Sequence, residues 1–210
     1  SAVATFTPAS GDHRALALFT QSLAQGAVAI WLIMKLGRPP EDQLPISIPL
    51  RLAYGQSVRG IAGLALWTVG GLAIGAIAVA SAFAVSLMFG AELPESQAAL
   101  ELFADLSSLS SQVAVAISVT VFAPLFEEIL FRGFVYRNLR DLIQPVPAML
   151  VTGLLFGVVH LDLAFMFQLS ALGAVLCFVY ERSGSLLVPI AIHAVWNGAQ
   201  LVSMLIVAEG

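Results

Sequence analysis

The sequence predicts an all-α fold, a polytopic transmembrane bundle of about six helices around a cytoplasm-facing polar cavity, and three observations lead there. The first is composition: 59% of the 210 residues are hydrophobic and 10% are charged, whereas an average soluble domain carries about 25% charged residues. The second is distribution, because the apolar residues fall into runs near the ~20 that a helix needs to cross a bilayer. The third is a set of ionisable residues that sit inside the later runs instead of in the loops. Helices are the expected spans, since lipid offers the backbone no hydrogen-bond partners of its own.

Hydropathy picks out Ala15 to Met34, Ile61 to Phe89, Val113 to Phe134, Ala148 to Leu161, Leu163 to Tyr180 and Leu186 to Ala208. One transmembrane domain over 1–210 is expected. The second segment exceeds one bilayer thickness, so tilt or extension into water follows. The fourth is short and reads as a half-buried helix whose end opens onto a polar cavity. Between the first two, "GRPPEDQLPISIPLR" has the proline density of an ordered surface linker. Residues 91–111, "AELPESQAALELFADLSSLSS", read as an amphipathic interfacial segment with Leu100, Leu102, Phe103 and Leu106 near one face. The stretch Ser1 to His13 lacks the basic start and apolar core of a signal peptide, so insertion is expected to rely on the spans themselves.

Basic residues orient such a chain, because cytoplasmic loops carry excess Lys and Arg. Lys35, Arg38, Arg51 and Arg59 fall in the first loop, Arg137 and Arg140 in the third and Arg182 in the fifth, while the alternate loops hold Glu92, Glu95, Glu101, Asp105 and Asp162. Both termini are therefore expected outside. The net charge of -4 and the lack of a basic block point away from nucleic acid. The single cysteine, Cys177, excludes an intrachain disulfide framework and a thiolate cluster.

Charges inside a bilayer cost at least ~2.5 kcal/mol each, so they persist where they pair or do chemistry. "FAPLFEEILFRG", residues 122–133, carries Glu127, Glu128 and Arg132; His160 ends the fourth segment, and His193 and Asn197 lie in the last. At ~1.5 Å per residue, Glu127 is expected about 10 Å from the cytoplasmic end of its helix, His160 about 18 Å along its own, and His193 and Asn197 about 10 and 16 Å along theirs. All would meet in the cytoplasmic half. Glu128 and Arg132 are four apart and can pair, while Glu127 points about 100° away and is left as the free carboxylate. The bland reading is one structural ion cluster. His193 and Asn197 also share a face, and Phe156, one turn before His160, would wall the same pocket, although a Phe is more often core than site. Gly153 and Gly157 read as close helix packing of the small-xxx-small type.

A Glu and a His facing one water can make it nucleophilic, and a second His with an Asn amide can donate to an oxyanion. That is a hydrolase constellation, with no Ser or Cys visibly paired to it. The alternative is metal: Glu127, His160 and His193 would hold zinc with a position open to water. The HExxH arrangement on one helix is absent, and the water mechanism requires no cofactor.

At these residues the sequence resembles the CAAX protease and bacteriocin-processing family, the membrane proteins similar to the type II CAAX prenyl endopeptidase. "EEILFR" matches that family's EExxxR motif, "FGVVH" its FxxxH motif and "HAVWN" its HxxxN motif, in the family's order, within core motifs spanning 122–201. The resemblance implies an intramembrane endopeptidase with a conical cavity open to the cytoplasm. It further implies that Glu127 and His160 activate water, that His193 and Asn197 form the oxyanion hole, and that Glu128, Arg132 and Phe156 support the site. The first 120 residues show no matching motif. Expected partners are membrane lipid, a peptide or membrane-protein substrate and a larger membrane complex, in a bacterial inner membrane. Two other classes remain: a noncatalytic assembly subunit that keeps the scaffold, and a proton relay, which would need a continuous polar path.

Overall fold

The computed structural model describes residues 60–90 and 108–209, together with Thr20, Ala24, Gly26, Ala27, Trp31, Val58 and Leu106. Among the described residues the protein is helical, with no strand. Five helices follow in chain order: α1 over Gly60–Met88, α2 over Leu109–Leu142, α3 over Pro145–Val159, α4 over Met166–Ser183 and α5 over Leu187–Glu209. They correspond in order to the second through sixth hydropathic segments. Apart from Thr20, Ala24, Gly26, Ala27 and Trp31, which are helical, the first segment lies outside the described residues, as do the proline-rich linker and most of the amphipathic 91–111 stretch. Of that stretch, Leu106 is buried with Val115 and Leu201.

Three helices are long and apolar enough to cross a membrane, α1, α2 and the Leu187–Ile206 part of α5. The expected count of about six spans is thus met by length and apolarity at three places among the described residues. α3 falls short at 15 residues, about 22 Å of helix against a hydrocarbon core of about 30 Å. α4 has 18 residues but carries Gln168, Glu181 and Arg182. α1, with 29 residues, is about 44 Å long and exceeds the core, as its hydropathic run suggested. Its exposed Ile61, Leu66, Val69 and Ile77 have no protein cover, as befits a lipid-facing helix.

α2 continues eight residues past the expected Phe134, because Arg137, Asn138, Arg140 and Asp141 carry a helix that hydropathy alone ends too soon. Arg140 reaches Glu181 on α4 at 3.2 Å, and the Tyr136 hydroxyl donates to the same carboxylate at 3.1 Å. α2 is also irregular. Ser118–Phe122 and Ile129–Tyr136 are π-helical and bracket a six-residue α stretch, Ala123–Glu128. Such insertions cluster at functional sites.

The closest packing joins α3 to α4, and it depends on missing side chains. A Cβ on Gly153 would stand 2.6 Å from the Ser170 carbonyl oxygen, and one on Gly157 would collide with the Ser170 hydroxyl and the Met166 carbonyl. The small-residue reading of this pair therefore holds. Gly184, at φ 66°, ends α4 in a left-handed turn with its N–H on the Tyr180 carbonyl, which sends the chain back into α5. Two apolar clusters flank the bundle centre. One joins Ile129, Tyr136, Ala148, Cys177, Tyr180 and Leu186; the other joins Leu172, Leu176, Val179, Val188 and Ile192, with Trp67 and Trp196 against it.

Candidate active site

Arg132 and Glu128 are both fully buried and form the expected pair on α2, with Nη1 2.8 Å from Oε1. The guanidinium is held at two further points. Nη2 donates to the Gly173 carbonyl at 2.7 Å, and the carbon Cζ stands 4.9 Å from the centre of the Phe156 ring. Glu128 Oε1 takes a second donor, Nδ1 of His193 on α5, at 2.9 Å. A buried charge left single would cost several kcal/mol; here α2, α4 and α5 all contribute to one polar knot. The contact to His193 is not legible from spacing, since it joins residues 65 apart in sequence.

Glu127 faces elsewhere, and its side chain is 25% exposed. Its Oε2 is nonetheless cut off from solvent and lacks a hydrogen-bond partner. Two imidazole nitrogens stand just beyond reach of it, His193 Nε2 at 3.8 Å and His160 Nε2 at 4.0 Å. The tautomers follow from the far side of each ring. His160 Nδ1 lies 2.6 Å from the Phe156 carbonyl, which can only accept, so the proton sits on Nδ1. His193 Nδ1 faces the Glu128 carboxylate in the same way. In the neutral rings both Nε2 atoms therefore turn lone pairs toward a carboxylate oxygen. Three acceptors converge with no donor among them, an arrangement that calls for a proton-bearing or cationic guest.

His160 caps the C-terminus of α3, and the chain then breaks sharply at Leu161, φ 55°. That is an uncommon backbone state for a bulky residue. Asp162 Oδ1 secures the turn by accepting from the N–H groups of Ala164 and Phe165 at 3.1 and 3.3 Å. Phe156 is fully buried, and its ring meets His160 at 4.8 Å, Phe131 at 5.1 Å and His193 at 5.6 Å between centroids. It is both core and wall. Asn197 shares a face of α5 with His193, and its Nδ2 donates to the Val119 carbonyl of α2 at 2.9 Å.

All three motif segments thus come together around Glu127. A profile of the type II CAAX prenyl endopeptidase Rce1-like family matches residues 109–199, the stretch that contains every one of these side chains. Residues 109–199 are thus similar to that family over somewhat less than half of the chain. Within the curated proteins, "Putative membrane peptidase YdiL" of Bacillus subtilis (strain 168) is 32% identical over 78 residues, 37% of this chain and 32% of that protein. The matched part therefore spans about a third of the length of that relative. No solved structure matches the chain. The three helices long and apolar enough to cross a membrane, together with this similarity, mark an integral membrane protein.

Depth along the helices departs from expectation. With α2 ending at Leu142 and α3 beginning at Pro145, both Glu127 and His160 stand 15 residues, about 22 Å, from those ends. His193 lies only six residues inside α5. The helices are staggered, so equal depth comes from packing and not from equal counting.

Zinc fits this candidate site in kind but not in spacing. Two imidazoles and a carboxylate are a familiar donor set, yet tetrahedral ligands at about 2.0–2.1 Å stand only about 3.4 Å from one another. Here the separations from Glu127 are 3.8 and 4.0 Å, and among the described residues no group of three His, Cys, Asp or Glu is arranged to hold a metal.

Proposed function

We propose that this chain is an intramembrane endopeptidase that hydrolyses a peptide bond in a membrane-associated peptide or protein. The observation that carries it is the meeting of Glu127 Oε2, His160 Nε2 and His193 Nε2, from three helices, around one partnerless oxygen. A water hydrogen-bonded to Glu127 and His160 would satisfy that oxygen. Contacts of 3.8 to 4.0 Å between polar groups are the kind that a bridging water completes.

In the reaction Glu127 takes a proton from the water as its oxygen attacks the substrate carbonyl carbon. The carbonyl π electrons move onto oxygen, and the resulting oxyanion accepts from His193 Nε2–H and from the Asn197 amide. His193 donates when Nε2 carries a proton, with Nδ1 directed at the Glu128 carboxylate 2.9 Å away. Collapse of the tetrahedral intermediate breaks the C–N bond, and Glu127 returns its proton to the leaving amine. Phe156 keeps the rings in register, while Glu128 and Arg132 fix His193 from behind.

Both termini outside, with the site toward the cytoplasmic half of a bacterial inner membrane, is the orientation that the loop charges support. The mechanism needs no cofactor. A zinc enzyme would instead lose activity to a chelator and regain it with added zinc.

The test compares peptide termini in membranes from cells that carry the wild type and cells that carry Glu127→Gln at equal abundance. Termini present only with the wild type support proteolysis and name the substrates. Identical termini together with retained cellular function would move the chain to the class of noncatalytic assembly subunits.

A further inference from the structure

Pro124 lies three residues before Glu127, inside a helix, where it removes one main-chain donor. In an α-helix the Val119 carbonyl would accept from the N–H of residue 123. That N–H instead bonds Ser118, five residues back, because Ser118–Phe122 is π-helical. In the π register the donor to Val119 would be the N–H of residue 124, and proline has none. In the π register that the chain adopts the Val119 carbonyl thus loses its main-chain partner, in a membrane where water does not replace it. Asn197 fills the gap, with Nδ2 2.9 Å from that oxygen. Gly198, beside it, faces the same segment, where a Cβ would make ordinary contact with the Thr120 methyl group at 3.9 Å.

We propose that Asn197 is a positioning residue, which holds the upstream π segment of α2 by satisfying the carbonyl that Pro124 orphans and so sets the direction of Glu127. The six-residue α stretch Ala123–Glu128 is tied at both ends. Downstream, Arg132 anchors the second π segment to Glu128 and Gly173; upstream, Asn197 does the corresponding service. Reversion of the upstream segment to α geometry would shift the register by one residue and turn Glu127 by about 100° around the helix. That rotation takes its carboxylate away from His160 and His193. The effect on turnover rests on the protease reading, whereas the anchoring of the π segment does not.

The deciding experiment is a double-mutant cycle of Asn197→Ala and Pro124→Ala on the full chain in detergent or vesicles, read by kcat, KM and thermal unfolding. Alanine at 124 supplies the missing N–H, so the Val119 carbonyl no longer depends on Asn197. Asn197→Ala is expected to lower kcat by about a hundredfold with little change in KM, as a misplaced catalytic group does. In the Pro124→Ala background the same change should cost at least about tenfold less than in the wild-type background, since only the contact to the oxyanion is then lost, and the thermal effects should be coupled in the same sense. An equal kcat loss in both backgrounds would overturn the inference and leave Asn197 solely as a donor to substrate. Should the wild type hydrolyse nothing, the protease reading fails while the thermal cycle still decides: coupling keeps Asn197 as the anchor, and independent, additive effects reject it.

Discussion

Around α2 two regions hold neighbouring carboxylates under opposite conditions. Behind, Glu128 is fully buried and shares Oε1 between Arg132 and His193. In front, Glu127 is partly exposed, and its Oε2 faces two imidazoles without bonding either. One residue and about 100° of helix separate them. On the rear carboxylate Arg132 and His193 both answer Oε1, while Oε2 stays buried without a partner; on the front one no protein donor reaches Oε2. The two carboxylates differ in whether a protein cation and a protein donor reach them.

The sharpest way to break this contrast is Glu127→Gln. Under the protease reading turnover falls by about a hundredfold to ten-thousandfold, the usual range for a lost general base, while the melting temperature barely moves. A large loss of stability would instead make Glu127 a second structural carboxylate. Arg132→Met tests the rear region. It leaves Glu128 buried without its cation, and denaturation should show a loss of about 3–5 kcal/mol. If this variant melts like the wild type, the knot behind the site does not support the fold.

Packing around both regions gives smaller effects. Gly157→Ala forces a methyl group against Ser170 and Met166, and overpacking of this kind costs about 1–3 kcal/mol. Gly70→Ala, which meets nothing within 4 Å, should be neutral or gain up to about 1 kcal/mol. Thermal unfolding of the two variants side by side measures the α3–α4 contact directly. Least of all, Arg140→Ala removes a part-exposed ion pair with Glu181, and a shift of more than about 1 kcal/mol in chemical denaturation would be out of line with such pairs.

Much of this was legible before any coordinates. Apolar runs located the helices, because lipid leaves the backbone no other choice, and i,i+4 spacing paired Glu128 with Arg132. Gly153 and Gly157 announced their close contact. Spacing could not tell that His193 serves Glu128 as well as facing Glu127, since that link depends on the stagger of α5 against α2. The extension of α2 past Phe134 was missed because charged residues end a hydropathic run without ending a helix. The π segments went unread, although Pro124 in the middle of an apolar run, preceded by Ser118 and Thr120 with their hydroxyls on carbonyls four residues back, was a usable warning.

Phe156 stands where the two regions meet, with the guanidinium of Arg132 and the rings of His160 and His193 packed against it. A ring with no polar atom, sealed from solvent, is a dielectric partition. Were it a smaller side chain, water could occupy its volume and join the two carboxylates into one proton pool, in which a proton lost at the front could be drawn from the rear. With the ring in place Glu127 and Glu128 meet through the His193 imidazole, whose Nδ1 stands 2.9 Å from Glu128 and whose Nε2 stands 3.8 Å from Glu127.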